Sequence, residues 1–75
     1  MKIVVNGKAK VVKPRISYSE VIMLVYQNGS RPDHPTITYH AKLDKDHFRQ
    51  GILHDGDTID VCDGMVFNVA DTNNA

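Results

Sequence analysis

Lys2-Ile3-Val4-Val5-Asn6-Gly7-Lys8-Ala9-Lys10-Val11-Val12 is two β-branched runs, Lys2 to Val5 and Lys8 to Val12, divided by Asn6-Gly7. Asn-Gly tolerates the two positive φ angles of a tight type I′ turn better than other pairs, so this stretch is predicted to be a β-hairpin. Alternation puts Ile3 and Val5 on one face, with Val11 expected to join them across the ladder and Lys2, Lys8, Lys10 and Lys13 reaching water. Pro14 has no N–H to offer a ladder and ends the second strand.

Working outward, Ile16-Ser17-Tyr18-Ser19-Glu20-Val21 reads as a helix start. Ser17 and Glu20 have capping-box spacing, and Ile16 can staple to Val21 across the cap, so the helix should begin at Tyr18. Val21, Leu24 and Val25 form its apolar stripe and Asn28-Gly29 offers a left-handed exit, giving roughly ten residues. Tyr18, Met23 and Tyr26 fall off that stripe and are expected to form a contact patch or to rim the core.

The stretch from Ser30 to Pro35 is the main loop, and Thr36 to Lys42 then alternates, with Ile37, Tyr39 and Ala41 on one face and Thr38, His40 and Lys42 on the other. Asp44-Lys45-Asp46 turns the chain, Phe48 is expected to plug an end of the core, and Leu53 precedes a turn at His54-Asp55-Gly56-Asp57. Thr58 to Cys62 and Met65 to Val69 are predicted to pair as a second hairpin about Asp63-Gly64, with the register leaving either Met65 or Val66 facing inward. A hairpin, a helix and further strands can cover their apolar faces only against each other. The expected architecture is therefore α+β: one helix across a mixed sheet of four to five strands, with the first and last strands parallel at its centre. Residues 1–70 make the domain and residues 71–75 a polar tail.

With 75 residues the chain has room for one small core and little for a deep, water-excluding cleft. Nine basic residues balance nine acidic ones, which gives no electrostatic reason to expect nucleic acid or an anionic membrane as partner. The single cysteine, Cys62, suggests a reducing compartment, and no apolar run approaches the ~20 residues of a membrane span, so a cytoplasmic location is expected.

The strand order, with Leu53-His54-Asp55-Gly56-Asp57-Thr58-Ile59 and Asp63-Gly64-Met65-Val66-Phe67-Asn68-Val69, resembles the bacterial ubiquitin-like domains grouped as the multiubiquitin family, of β-grasp fold. Ile3-Val4-Val5-Asn6-Gly7 and Ile16 to Ile22 are similar to the same family, so the resemblance covers almost the whole chain. It implies a protein modifier that is handled by an activating enzyme, a conjugating enzyme and a JAB-type isopeptidase, and is their substrate rather than an enzyme. The conjugation or processing segment would be Thr72, Asn73, Asn74 and Ala75. Ubiquitin and the sulfur carriers end in Gly-Gly, which lets a tail thread a narrow channel; Asn73-Asn74-Ala75 is bulkier, which disfavours a sulfur carrier and calls for a wider channel or a trimmed precursor. The alternative is a β-grasp interaction domain that is never conjugated, or one module of a tandem ubiquitin-like protein.

Thr38, His40 and Lys42 form the candidate partner-binding face, set against the plainer reading of a solvated polar row. His34, His40, His47 and His54 lack the spacing that would gather them as metal ligands, and neither a metal nor a cofactor is expected. Cys62 lies near Asp60 and Asp63, which favour its thiol over the thiolate, so it reads as a packing residue. Asp55, Asp57, Asp60 and Asp63 lack the loop spacing of a calcium hand and read as turn formers. No nucleophile, base and orienting group stand at spacings that suggest catalysis.

Overall fold

Asn6 and Gly7 take φ angles of 49° and 82°, the two positive values that a type I′ turn requires. They join β1 (Lys2–Val5) to β2 (Lys8–Val11) in the computed structural model, which describes residues 1–27 and 32–71. The register sets Ile3 opposite Lys10 and Lys2 opposite Val11. Val11 therefore shares the face of Lys2 and is 85% exposed, a correction to its expected inward position. A two-residue turn pairs odd positions with even ones, so the apolar partner of Ile3 and Val5 could not be Val11.

After β2 the chain makes a short strand, β3 (Arg15–Ser17), and then helix α1 (Tyr18–Val25). The capping box forms as read: the Glu20 N–H donates to the Ser17 hydroxyl and the Ser17 N–H to the Glu20 carboxylate, both at 3.1 Å. Lys13 meets the same carboxylate at 3.0 Å, and this bond, followed by those from Ser17, holds Glu20 below its usual pKa. The helix has eight residues where ten were expected, and the Asn28-Gly29 exit lies outside the described residues. Its buried face is Tyr18, Val21 and Ile22, with Leu24 and Val25 half-buried. Tyr18 is thus a core residue and not part of an outer patch, and its hydroxyl donates to the Pro35 carbonyl at 2.6 Å, which satisfies the one polar group it brings inside. Met23 is exposed and Tyr26 rests half-buried on the core rim.

Three longer strands complete the main sheet: β4 (Thr36–Asp44), β5 (His47–Leu53) and β7 (Val66–Ala70), in the order β2-β1-β7-β4-β5. β1 and β7 run parallel at the centre, Val4 beside Val66 and Val5 beside Phe67, while β7 meets β4 antiparallel. Ile3, Val5, Ile37, Ala41, Leu53, Phe67 and Val69 make the inner face, and the helix lies against it.

The second hairpin is not where the sequence suggested. β6 (Thr58–Asp60) leaves the main sheet and pairs with β3, Ile16 opposite Ile59. The Asp63-Gly64 turn does form, with Gly64 at φ 85° and the Met65 N–H donating to the Cys62 carbonyl. However, the Gly64 N–H donates to the Lys2 carbonyl and the Lys2 N–H to the Asp63 carboxylate, each at 2.8 Å. Those bonds deliver the chain to β1 rather than back onto β6. Met65 and Phe67 are the inward residues and Val66 looks outward. The second hairpin that does form is β4–β5, turned at Asp44-Lys45-Asp46 as read, with a bulge between Lys42 and Asp44. Phe48 lies on its outer face, 71% exposed, and plugs nothing: the pairing to Lys42 puts it on the side away from the helix.

Candidate functional site

The face of the sheet opposite the helix is one pleated surface whose rows follow from the registers. Val4, Val66, His40 and Gln50 cross it as one row, Asn68, Thr38 and Ile52 as the next, and Lys42 stands beside Phe48. Thr38, His40 and Lys42 are all exposed there, so the strand alternation placed these three correctly. The same registers bring apolar side chains beside them. Ile52 is 53% exposed next to Thr38, and Phe48 stands next to Lys42. The surface is therefore mixed, polar along β4 and apolar along β5.

Behind β4 the inner face is tied by aromatic contacts. The Tyr39 ring lies 6.2 Å from that of Phe67, and the Arg49 guanidinium sits 5.9 Å over Tyr39. Tyr39 can lie across its neighbour strand because the residue opposite is Gly51; a Cβ there would stand 2.8 Å from the tyrosine hydroxyl. Arg49 also donates to the Asp60 carbonyl at 2.8 Å, linking β5 to β6. Arg15 bonds the Asp60 carboxylate at 2.9 Å, and that bond keeps Asp60 below its usual pKa. Asp44 is likewise lowered, first by the Asp46 N–H and then by His47. All three lowered carboxylates belong to exposed pairs, of which Arg15–Asp60 joins two strands, and each contributes little stability.

The end of β7 is held by a residue the sequence reading used only as a turn former. Asn6 is bound to β7 three times: its N–H donates to the Phe67 carbonyl at 3.0 Å, its side-chain amide to the Val69 carbonyl at 3.2 Å, and its Oδ1 accepts from the Val69 N–H at 2.8 Å. The amide side chain stands in for a strand residue and carries the parallel ladder past the point where β1 turns away. Asparagine has both a donor and an acceptor, which aspartate lacks, and that is the signal in the sequence that could have found this clamp. β7 ends one residue later at Ala70. Thr72, Asn73, Asn74 and Ala75, the expected conjugation segment, lie outside the described residues.

His47 contacts the Asp44 carboxylate at 2.8 Å and His54 the Asp57 carboxylate at 3.4 Å, while His40 stands on the outer face of β4. Among the described residues, no three His, Cys, Asp or Glu side chains gather as a cation site. Cys62 is half-buried against the core. Asp57 and Asp63 accept backbone N–H groups and Asp60 pairs with Arg15, so they serve turns and strand pairing. No described helix is long and apolar enough to cross a membrane.

One helix across a mixed sheet, with the first and last strands parallel at its centre, defines a ubiquitin-like β-grasp domain. The family model described as multiubiquitin matches residues 1–73, and the chain belongs to that family. No curated protein and no solved structure gives a significant match.

Proposed function

We propose that this chain is a ubiquitin-like protein modifier of a bacterial ubiquitination-like pathway, activated at the carboxylate of its mature C-terminus and joined to targets by an activating and a conjugating enzyme. A JAB-type isopeptidase is its processing or releasing partner, and the cytoplasm its compartment. In this reading the chain is the substrate of those enzymes and performs no chemistry of its own. The observation that carries the reading is the anchoring of β7. The last strand is central, hydrogen-bonded on both sides and held at its end by Asn6, so a partner pulling on the following residues works against a fixed body. The outer row Thr38, His40 and Lys42, with Phe48 and Ile52 beside it, is the face those enzymes would read.

Incubation with the cognate activating enzyme and ATP tests this. The expected result is one acyl-adenylate per chain on the C-terminal carboxylate, seen by mass spectrometry, with one pyrophosphate released. Absence of both would overturn the modifier reading. The exposed apolar row on β5 favours a second reading, a β-grasp interaction module that is never conjugated, which would bind partners through that row and leave its carboxylate free in the same assay.

A further inference from the structure

β5 is an open edge of the main sheet, with β4 on one side of it and no described strand on the other. An open edge presents unpaired N–H and C=O groups and recruits another strand unless something blunts it. The opposite edge, β2, carries Lys8 and Lys10 in a strand of four residues. β5 is seven residues long, contains no proline, and its outer row is Phe48, Gln50 and Ile52, with no charge.

We propose that β5 pairs with β5 of a second copy of this chain, antiparallel about a two-fold axis at Gln50, so that two sheets become one. The sequence of the strand selects this register. Inner and outer faces must match across the seam, so residues of like parity must stand opposite each other. Centring on Arg49 would set two guanidinium groups against each other, an unfavourable like-charge pair. Centring on Gly51 would set glycine against glycine and leave Phe48 opposite His54 of the turn. Centring on Gln50 pairs all seven residues of the strand, Phe48 opposite Ile52 twice over and Gln50 opposite Gln50. An aromatic residue facing a β-branched one is a favourable cross-strand pair, and two facing amides can exchange hydrogen bonds.

Charge at the two ends of the strand agrees with the same register. Continued into the flanking turns, it brings Lys45 opposite Asp55 and Asp46 opposite His54 of the other copy. Neither Lys45 nor Asp55 makes an ion pair with another described residue. Arg49, already engaged with Tyr39 and Asp60, would face Gly51, which presents no side chain to displace it. A contact of this kind repeats each pair on both sides of the axis, so a surface that is complementary to itself closes on two copies and goes no further.

The pairing uses none of the C-terminal chemistry, so its failure and failure of the adenylation assay are separate outcomes. The test is sedimentation equilibrium of the wild-type chain and of Gln50→Lys and Gln50→Glu, each alone and mixed in equal amounts. Gln50 is exposed on an edge strand, and far-UV circular dichroism of each variant should match the wild type. The wild-type mass should rise toward twice the monomer value as concentration approaches millimolar. Each variant alone should need at least tenfold more protein to reach the same degree of association, because like charges then meet on the axis. The mixture should recover association, since only a two-fold axis at this residue brings an ammonium opposite a carboxylate. Ile52→Lys should weaken association as well, while Lys8→Glu on the far edge should leave it unchanged. A wild-type chain that stays monomeric to millimolar concentration, or a mixture that associates no better than its components, would overturn the proposal.

Discussion

Phe67→Ala is expected to lower the stability of the domain by about 3–5 kcal/mol. Phe67 is the largest fully buried side chain among the described residues, second in β7, beside Val5 on one strand and Tyr39 on the other. Its removal opens a cavity where β1, β7 and β4 meet, and the surrounding strands cannot close it without breaking their ladders. A chain of 75 residues has a total stability of roughly 4–11 kcal/mol at the usual 0.05–0.15 kcal/mol per residue, so the loss takes about a quarter of it or more. Urea unfolding followed by circular dichroism measures this, with a lower midpoint and an unchanged slope as the expected pattern. Phe48→Ala is the control. The same atoms are deleted from an exposed outer-face position, and the change should stay within about 0.5 kcal/mol. Equal effects at the two positions would contradict the placement of β7 in the core and of β5 at the edge.

The second large effect belongs to Asn6. Asn6→Ala removes two hydrogen bonds to Val69, whose N–H and C=O are partly buried and lose their partners, and it forces a Cβ-bearing residue without a polar side chain to hold φ 49°. Together these should cost about 2–3 kcal/mol, well above the effect expected for an ordinary turn residue. The two contributions separate by substitution. Asn6→Gly restores the backbone freedom but not the bonds, and should recover about 1 kcal/mol. Asn6→Asp keeps the acceptor, loses the donor and turns a carboxylate toward the Val69 carbonyl, so it should remain nearly as unstable as alanine. Hydrogen exchange at the amides of Val69 and Ala70 should speed up in all three variants, because the clamp closes the end of the strand that leads to the C-terminus. Unchanged protection there would mean that Asn6 acts through the turn alone.

How far the fold was legible follows from how local its causes are. The β1–β2 hairpin and the helix start were readable because Asn6-Gly7 and Ser17/Glu20 act over two to four residues. The helix across the sheet was readable by elimination, since its apolar stripe and the apolar strand faces had only each other to cover them, and a crossover through that helix allows the central parallel pair. The β4–β5 hairpin was half legible. Its turn at Asp44-Lys45-Asp46 was read, but Arg49, Gln50 and Gly51 hide the alternation of β5, and Gly51 makes sense only once Tyr39 is seen lying across it. β3 and β6 have three residues each, too few for any period to show, and their pairing depends on Pro14 and Asp57 carbonyls that accept N–H groups far along the chain. The false hairpin at Asp63-Gly64 came from a turn that is real but whose Gly64 N–H and Asp63 carboxylate bond to Lys2 of β1.

Of the candidate face, Thr38, His40 and Lys42 were legible from alternation alone. Phe48 and Ile52 beside them were not, because a neighbouring strand's contribution depends on register, which is a tertiary fact. Asn6 was legible only as a turn former, since its second partner lies 63 residues away.

β7 lies between β1 and β4, fastened at its end by Asn6, and the proposed role depends on that placement. Cross-strand nuclear Overhauser effects on the labelled protein measure this directly. Contacts from the backbone of Val66 and Phe67 to Val4 and Val5 on one side, and to Tyr39 and His40 on the other, are the predicted result. Contacts from Val66 and Phe67 to Thr58, Ile59 or Asp60 in their place would contradict it.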